Sequence, residues 1–269
     1  MDKNISVITV NYNNASGLEK TINSVICQTY SDFEFLIIDG GSTDGSFEII
    51  KKYNKYLSYW CSESDDGIYN AMNKGVSFAK GDYVIFLNSG DCFHNPNVLQ
   101  EVSLQLGDKD IVVGYALKEN NKIHEFHEEN VLLLFLHGSF SHQATFIRRS
   151  LFKNYKYNEN LKIVSDWEAW IYWVIFMQKS YKYINTIIAD YDFNGISSDS
   201  QNWQRILEER RIVLSEKFPP LVLKTLQECD DIYLRAHLKY IKGFPMAERV
   251  TIFIVKAIAY ICKIAKRKK

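Results

Sequence analysis

Two strand–loop–helix units in immediate succession constrain this chain more than any other feature. Ile5-Ser6-Val7-Ile8-Thr9-Val10 is a short, β-branched apolar run bounded by Asn11-Tyr12-Asn13-Asn14, and Phe33 to Ile38 is a second run that ends in Asp39-Gly40-Gly41-Ser42-Thr43-Asp44-Gly45-Ser46. Runs of this kind, closed by turn-forming residues, read as buried strands. After the first, Leu18, Ile22, Val25 and Ile26 recur at helical spacing, with Ser16 and Glu19 placed as a capping box; after the second, Ser46 opens another helix. Alternation of this type implies a parallel, doubly wound sheet, because each helix must cross back before the next strand. Both polar loops then lie at one edge.

The pattern continues through a third short strand, Tyr56 to Cys61, and a helix carrying Ile68, Ala71, Met72, Val76 and Ala79. It culminates in Gly81–Phe93, where the apolar run Tyr83 to Leu87 stops at Asn88-Ser89-Gly90-Asp91. Open α/β sheets hold their ligands at the carboxyl ends of strands, which makes Asp91 the leading candidate for chemistry. The same four residues also suit a plain turn. Beyond Asn95-Pro96 the alternation lapses: Val98 to Leu106 reads as helix and Asp110 to Leu117 as strand.

Further along, Ser139 to Ile147 is strand-like and carries His142 and Gln143 between apolar neighbours, where a histidine can equally be a satisfied core residue. Ser165 and Glu168 are spaced as a capping box ahead of the aromatic run Trp170 to Met177, which places Asp166 in a first helical turn. A charge complementing the helix dipole would explain Asp166 without any chemistry.

Composition narrows the function. Lysine plus arginine and aspartate plus glutamate both number 32, so no global field favours nucleic acid. The five cysteines are scattered and never spaced Cys-x-x-Cys, which suggests neither disulfides nor zinc and suits a reducing cytosol. No signal-peptide pattern follows Met1, so a cytoplasmic location is expected. A nicotinamide enzyme is disfavoured because no Gly-x-Gly-x-x-Gly follows the first strand.

Gln204 to Lys217 reads as a charged helix ended by Pro219-Pro220. The expected division is a catalytic domain over 1–217 and a helical extension over 218–269. In the latter, Arg249, Lys256 and Lys263 recur among apolar residues before Lys266-Arg267-Lys268-Lys269. Such a helix is too charged for the roughly 20 apolar residues of a span. It suits the surface of an anionic leaflet, giving an expected peripheral contact through 249–269 at the inner face of the cytoplasmic membrane.

Taken together, Ser6–Asn13, Ile38–Gly45, Gly67-Ile68-Tyr69-Asn70-Ala71-Met72-Asn73-Lys74-Gly75 and Phe86-Leu87-Asn88-Ser89-Gly90-Asp91 resemble the family 2 glycosyltransferases, in order, over about residues 5 to 200. The resemblance implies an α/β fold of the GT-A type with a mostly parallel sheet and a C-terminal helical tail. It also implies a divalent cation, Mn²⁺ or Mg²⁺, and inversion at the transferred sugar. Carried over by position, Asp39 would contact the nucleotide base, with Thr9 and Asn11 at the same end; Asp65 and Asn73 would hold the ribose or diphosphate side, with Ser89 in the donor loop. Asp91 is the one carboxylate left in the metal motif, since Asn88 and Gly90 stand where two acids are common. Asp166 matches the position of the base that takes a proton from the acceptor. His142-Gln143 matches a His-Gln pair, placed near diphosphate or acceptor, and Asn194-Gly195-Ile196-Ser197-Ser198 resembles a late Gly-Ile-Ser motif. The implied activity is hexosyl transfer from a nucleoside diphosphate sugar, UDP-linked by expectation, to a hydroxyl of a glycan or lipid-linked glycan in polysaccharide assembly. A nucleotidyltransferase and a binding module without transfer activity are the alternatives.

Overall fold

The computed structural model describes residues 5–118, 122–123, 131, 134–135, 138–192, 195 and 200–225. The chain divides into two compact units, Met1–Arg211 and Ile212–Lys269. Of the second, only residues 212–225 are described; the basic segment 249–269 lies outside the described residues. Among the described residues no helix is long and apolar enough to cross a membrane.

The first unit opens with β1 (Ile5–Asn11), α1 (Ala15–Ile26), β2 (Phe33–Asp39), α2 (Ser46–Tyr53), β3 (Tyr59–Ser62), α3 (Ile68–Phe78) and β4 (Tyr83–Phe86). Then come β5 (Cys92–Phe93), α4 (Val98–Ser103), β6 (Ile111–Lys118), β7 (Lys122–Ile123), β8 (Thr145–Arg148), α5 (Leu151–Asn154), α6 (Ser165–Trp170), β9 (Tyr181–Asp190) and α7 (Trp203–Lys217). The strands form one sheet in the order β3-β2-β1-β4-β8-β6-β9-β5, with β7 on β6. Its first four strands are all parallel, as the alternating units predict. Every residue of β1 is buried, the signature of a central parallel strand covered on both faces. Ile5, Val7, Leu18, Ile22, Phe35, Ile37 and Ile85 belong to the core beneath it.

Past β4 the sheet turns mixed. β8 runs antiparallel to both β4 and β6, while β9 is parallel to β6. The architecture is thus a mostly parallel α/β sheet in its nucleotide-binding half with a mixed second half. The strand expected over 139–147 is corrected: a single 3-10 turn, His142–Ala144, precedes the much shorter β8. No element was assigned by sequence to the stretch that forms β9.

Two expected capping boxes are also corrected. Asn14, not Ser16, caps α1 by accepting from Gly17 N–H at 3.0 Å, and Glu19 is drawn off to Lys52 Nζ at 2.7 Å. Ser165 is the first residue of α6 rather than its cap, because its hydroxyl accepts from Asn158 N–H at 2.6 Å.

Candidate active site

Because β1, β2 and β4 are parallel, their carboxyl ends share one edge, and a cleft of about 1210 Å³ opens there. Asn11, Asp65, Ser89, Asp91, His142 and Asp166 all line it. Six of the ten residues singled out by sequence therefore face one space, although they come from five separate segments.

The exit of β4 is pinned by its neighbours. Leu87 N–H and Ser89 N–H donate to the Ile8 and Val10 carbonyls of β1, at 2.9 and 3.1 Å. Thr21 of α1 receives Gly90 N–H at 2.9 Å and donates to the Asp91 carbonyl at 2.7 Å. These bonds hold the Asp91 side chain, only 4 % exposed, in the cleft wall. Its carboxylate accepts Asp192 N–H at 2.9 Å. Burial pushes its pKa up to about 6, against the pull of His142 and that hydrogen bond, while the charge of Asp192 adds to the rise.

Asp166 is placed by three donors. Tyr69 Oη and Trp167 N–H donate to Oδ1 at 3.1 and 2.9 Å, and His142 Nδ1 meets Oδ2 at 3.2 Å. The Trp167 contact means that Asp166 caps its own helix as well as facing the cleft. His142 in turn meets the Asn88 amide Nδ2 at 3.2 Å through Nε2. Burial lowers the pKa of His142, but its hydrogen bond to Asp166 and the charges of Asp166 and Asp91 outweigh that, and the net shift is upward. Among the described residues, Asn88 Oδ1 has no hydrogen-bond partner.

Four of the expected residues do not line the cleft. Thr9 is fully buried and spends its hydroxyl on the Leu87 carbonyl at 2.7 Å. Asn73 bridges α3 to the 157–159 segment, exchanging hydrogen bonds with the Tyr157 backbone and donating to Glu159. Gln143 is buried beside His142, away from the lining. Asp39 is fully buried with both oxygens engaged: Asn11 Nδ2 at 2.7 Å, Ser42 Oγ at 2.6 Å, Ser42 N–H at 3.0 Å and Ser62 Oγ at 2.6 Å. Burial raises its pKa, yet these bonds dominate and hold the carboxyl below its usual range. Of the late Gly-Ile-Ser motif only Gly195 is described, at the cleft; the rest lies outside the described residues.

The cleft also holds residues that no local pattern marked. Lys20 reaches the Gly90 carbonyl at 3.4 Å, Lys162 reaches the Asp66 carbonyl at 3.4 Å, and Tyr12 presents an exposed ring beside Gly40. Glu209 of α7, itself buried, accepts the backbone N–H groups of Lys162, Ile163 and Val164 at 3.0 to 3.3 Å. It thereby fixes the run that leads into Asp166.

Among the described residues no group of three or more His, Cys, Asp or Glu could enclose a metal ion. The donor set nonetheless suits a hard cation. Asp91 offers a carboxylate oxygen beside open cleft, and the space beside Gly90, where a Cβ would fall 2.2 Å from Asp192 Oδ2, is already filled by a second carboxylate. One or two carboxylates with substrate phosphates are a sufficient Mg²⁺ shell.

A "PGL/p-HBAD biosynthesis glycosyltransferase" of Mycobacterium bovis is 27 % identical over 238 residues, covering 82 % of this chain and 93 % of that protein. Among solved structures, S. aureus TarS 1-349 in complex with UDP-GlcNAc superposes with a TM-score of 0.61 at 17 % identity, over 80 % of this chain and 68 % of that one. The chain spans 36 % of the longer TarS structure. The mannosyltransferase PcManGT from Pyrobaculum calidifontis, in complex with GDP-Man and Mn²⁺, matches with a TM-score of 0.63 at 14 % identity, over 95 % and 80 % of the two chains. These likenesses establish the GT-A type of fold. Residues 6–170 match the model of glycosyl transferase family 2, and the chain belongs to that family.

Proposed function

We propose that this glycosyltransferase moves a sugar from a nucleoside diphosphate donor, UDP-linked, to a hydroxyl of a glycan or lipid-linked glycan, with inversion. One observation carries the reading: Asp91 and Asp166 face the same cleft, linked through the contacts of His142 with Asp166 and with Asn88. The cleft exceeds the several hundred Å³ typical of a single small ligand, so donor and acceptor can meet in it. Complexes of fold neighbours with UDP-GlcNAc and GDP-Man support a nucleotide-sugar donor.

In this reading Asn11, Tyr12 and Asp65 bound the base and ribose end. Thr9, Asp39 and Asn73 act one step back, tying together the walls that those residues stand on. Asp166 takes the proton from the acceptor hydroxyl through Oδ2, whose hydrogen-bond partner among the described residues is His142. Tyr69 and Trp167 N–H hold the carboxylate in place through Oδ1, and His142 steadies it through Oδ2. Asp91 holds the divalent cation, which when bound offsets charge on the departing diphosphate. Lys20, at the same loop, adds a fixed positive charge.

Calorimetric titration with UDP, with and without Mn²⁺, tests the donor site on the wild type and on Asp91→Asn. UDP binding that Mn²⁺ tightens, with that gain lost in the variant, supports it; no binding of UDP, GDP or dTDP in any condition rejects it. Transfer is tested by Asp166→Asn. An unchanged activity would favour a binding module, and release of pyrophosphate a nucleotidyltransferase. For the tail, deleting residues 249–269 should release the protein from membranes, and unchanged fractionation would reject the peripheral contact.

A further inference from the structure

The loop after β4 offers a single carboxylate, Asp91, with Asn88 and Gly90 beside it. Gly90 has φ of +108°, a conformation that side chains rarely adopt. A Cβ built there would lie 2.2 Å from Oδ2 of Asp192 and 3.0 Å from its Cγ. The room that a side chain at position 90 would occupy therefore holds the carboxylate of Asp192, which arrives just past β9, far along the chain. The two aspartates are fixed to each other, since Asp192 N–H donates to Asp91 Oδ1 at 2.9 Å, and both line the cleft.

We propose that Asp192 is the second carboxylate ligand of the divalent cation, standing in space where the strand-exit loop lacks an acid. The inference rests on the nucleotide-sugar reading, because diphosphate oxygens would complete the shell. Charge supports it. Two carboxylates at the place where a diphosphate must lie would repel it, and Lys20 at the Gly90 carbonyl supplies one compensating charge. A divalent ion between the acids and the phosphates turns that repulsion into attraction. Asn88 Oδ1, buried without a hydrogen-bond partner in the same loop, adds an oxygen donor nearby. Gly90 and Asp192 are thus a matched pair: the absent side chain makes the room that the second acid uses.

The test is Mn²⁺ binding in the presence of UDP, followed by the electron paramagnetic resonance signal of free Mn²⁺. Wild type, Asp91→Asn, Asp192→Asn and Asp192→Ala are compared, with folding checked by near-ultraviolet circular dichroism and two substitutions used in case one disturbs the fold. The expected result is a loss of Mn²⁺ affinity of tenfold or more in each variant, while UDP binding in EDTA stays as in the wild type. Wild-type Mn²⁺ affinity in a folded Asp192 variant would overturn the assignment. Should the wild type bind UDP in EDTA but no Mn²⁺, the donor site stands and this inference falls. If neither UDP nor Mn²⁺ binds, both fall.

Discussion

Asp39 and Asp91 are the same residue type, buried at the carboxyl ends of parallel strands at one edge of the sheet, and they have opposite characters. Asp39 ends β2 with four hydrogen bonds from Asn11, Ser42 and Ser62, and its carboxyl lies below the usual range. Asp91 follows β4 with the Asp192 N–H on its carboxylate, and burial lifts it to about 6. A carboxylate whose acceptor capacity is filled by its own protein is a structural clamp. One left short of partners in a cleft keeps acceptor capacity for a cation or a donor from outside. Position at the ligand-binding edge does not separate the two roles; the count of internal partners does.

The comparison can be broken or sharpened by substitution. Asp166 sits between the extremes, with three donors and a face on the cleft. Asp166→Asn should cut the transfer rate about a thousandfold, about 4 kcal/mol, with little change in Mn²⁺-dependent UDP binding. Steady-state kinetics alongside calorimetry read both. Asp39→Ala should destabilise the fold by about 3 kcal/mol in a urea titration, because it strands four buried or half-buried donors. A loss of nucleotide affinity without a loss of stability would instead return Asp39 to direct base contact.

Asp91→Asn should do the reverse to stability. Its folded carboxyl, at about 6, binds the proton more tightly than an ordinary aspartate, at 3.8. Ionisation therefore costs the metal-free fold stability at a pH above about 6, and the cost vanishes below 3.8. The variant should gain about 2 to 3 kcal/mol near pH ~8 and almost nothing near pH ~4, read by urea titration in EDTA. Asp39 runs the other way: its stabilisation is present above 3.8 and fades as the pH falls. The smallest effect is expected from Ser62→Ala, which removes one of the four bonds to Asp39. It should cost about 1 kcal/mol and raise the Asp39 pKa, as followed by carboxyl NMR titration.

The parallel half of the sheet was legible because central strands are continuous β-branched runs, and the exit of β4 was legible because its apolar run stops at polar residues. Asp91 and Asp166 were found in this way and by resemblance. The helix caps were misread because tertiary partners outcompeted local ones: Lys52 took Glu19, and the Asn158 backbone took Ser165. Thr9, Asp39 and Asn73 carry the right residue types, but whether a polar side chain faces ligand or protein depends on what the fold brings to it. Asp192, Lys20, Tyr69 and Glu209 escaped because their partners lie tens of residues away, where periodicity says nothing. Asp192 did leave one signal. The alternating stretch Tyr181–Asp190 ends in an acid, as β2 does at Asp39, and reading it as a strand would have pointed there.

The grip of Glu209 on residues 162–164 bears on how the protein is completed during synthesis. The family match ends at residue 170, yet the carboxylate that fixes the approach to Asp166 is not made until 209, and β9 with Asp192 also comes later. A nascent chain can therefore assemble the parallel sheet while its reactive wall is still loose. A fragment cut at the family boundary would be missing a sheet strand and the latch on the run that leads into Asp166. Catalytic competence, on this account, is acquired last, when α7 leaves the ribosome and closes onto a scaffold already formed.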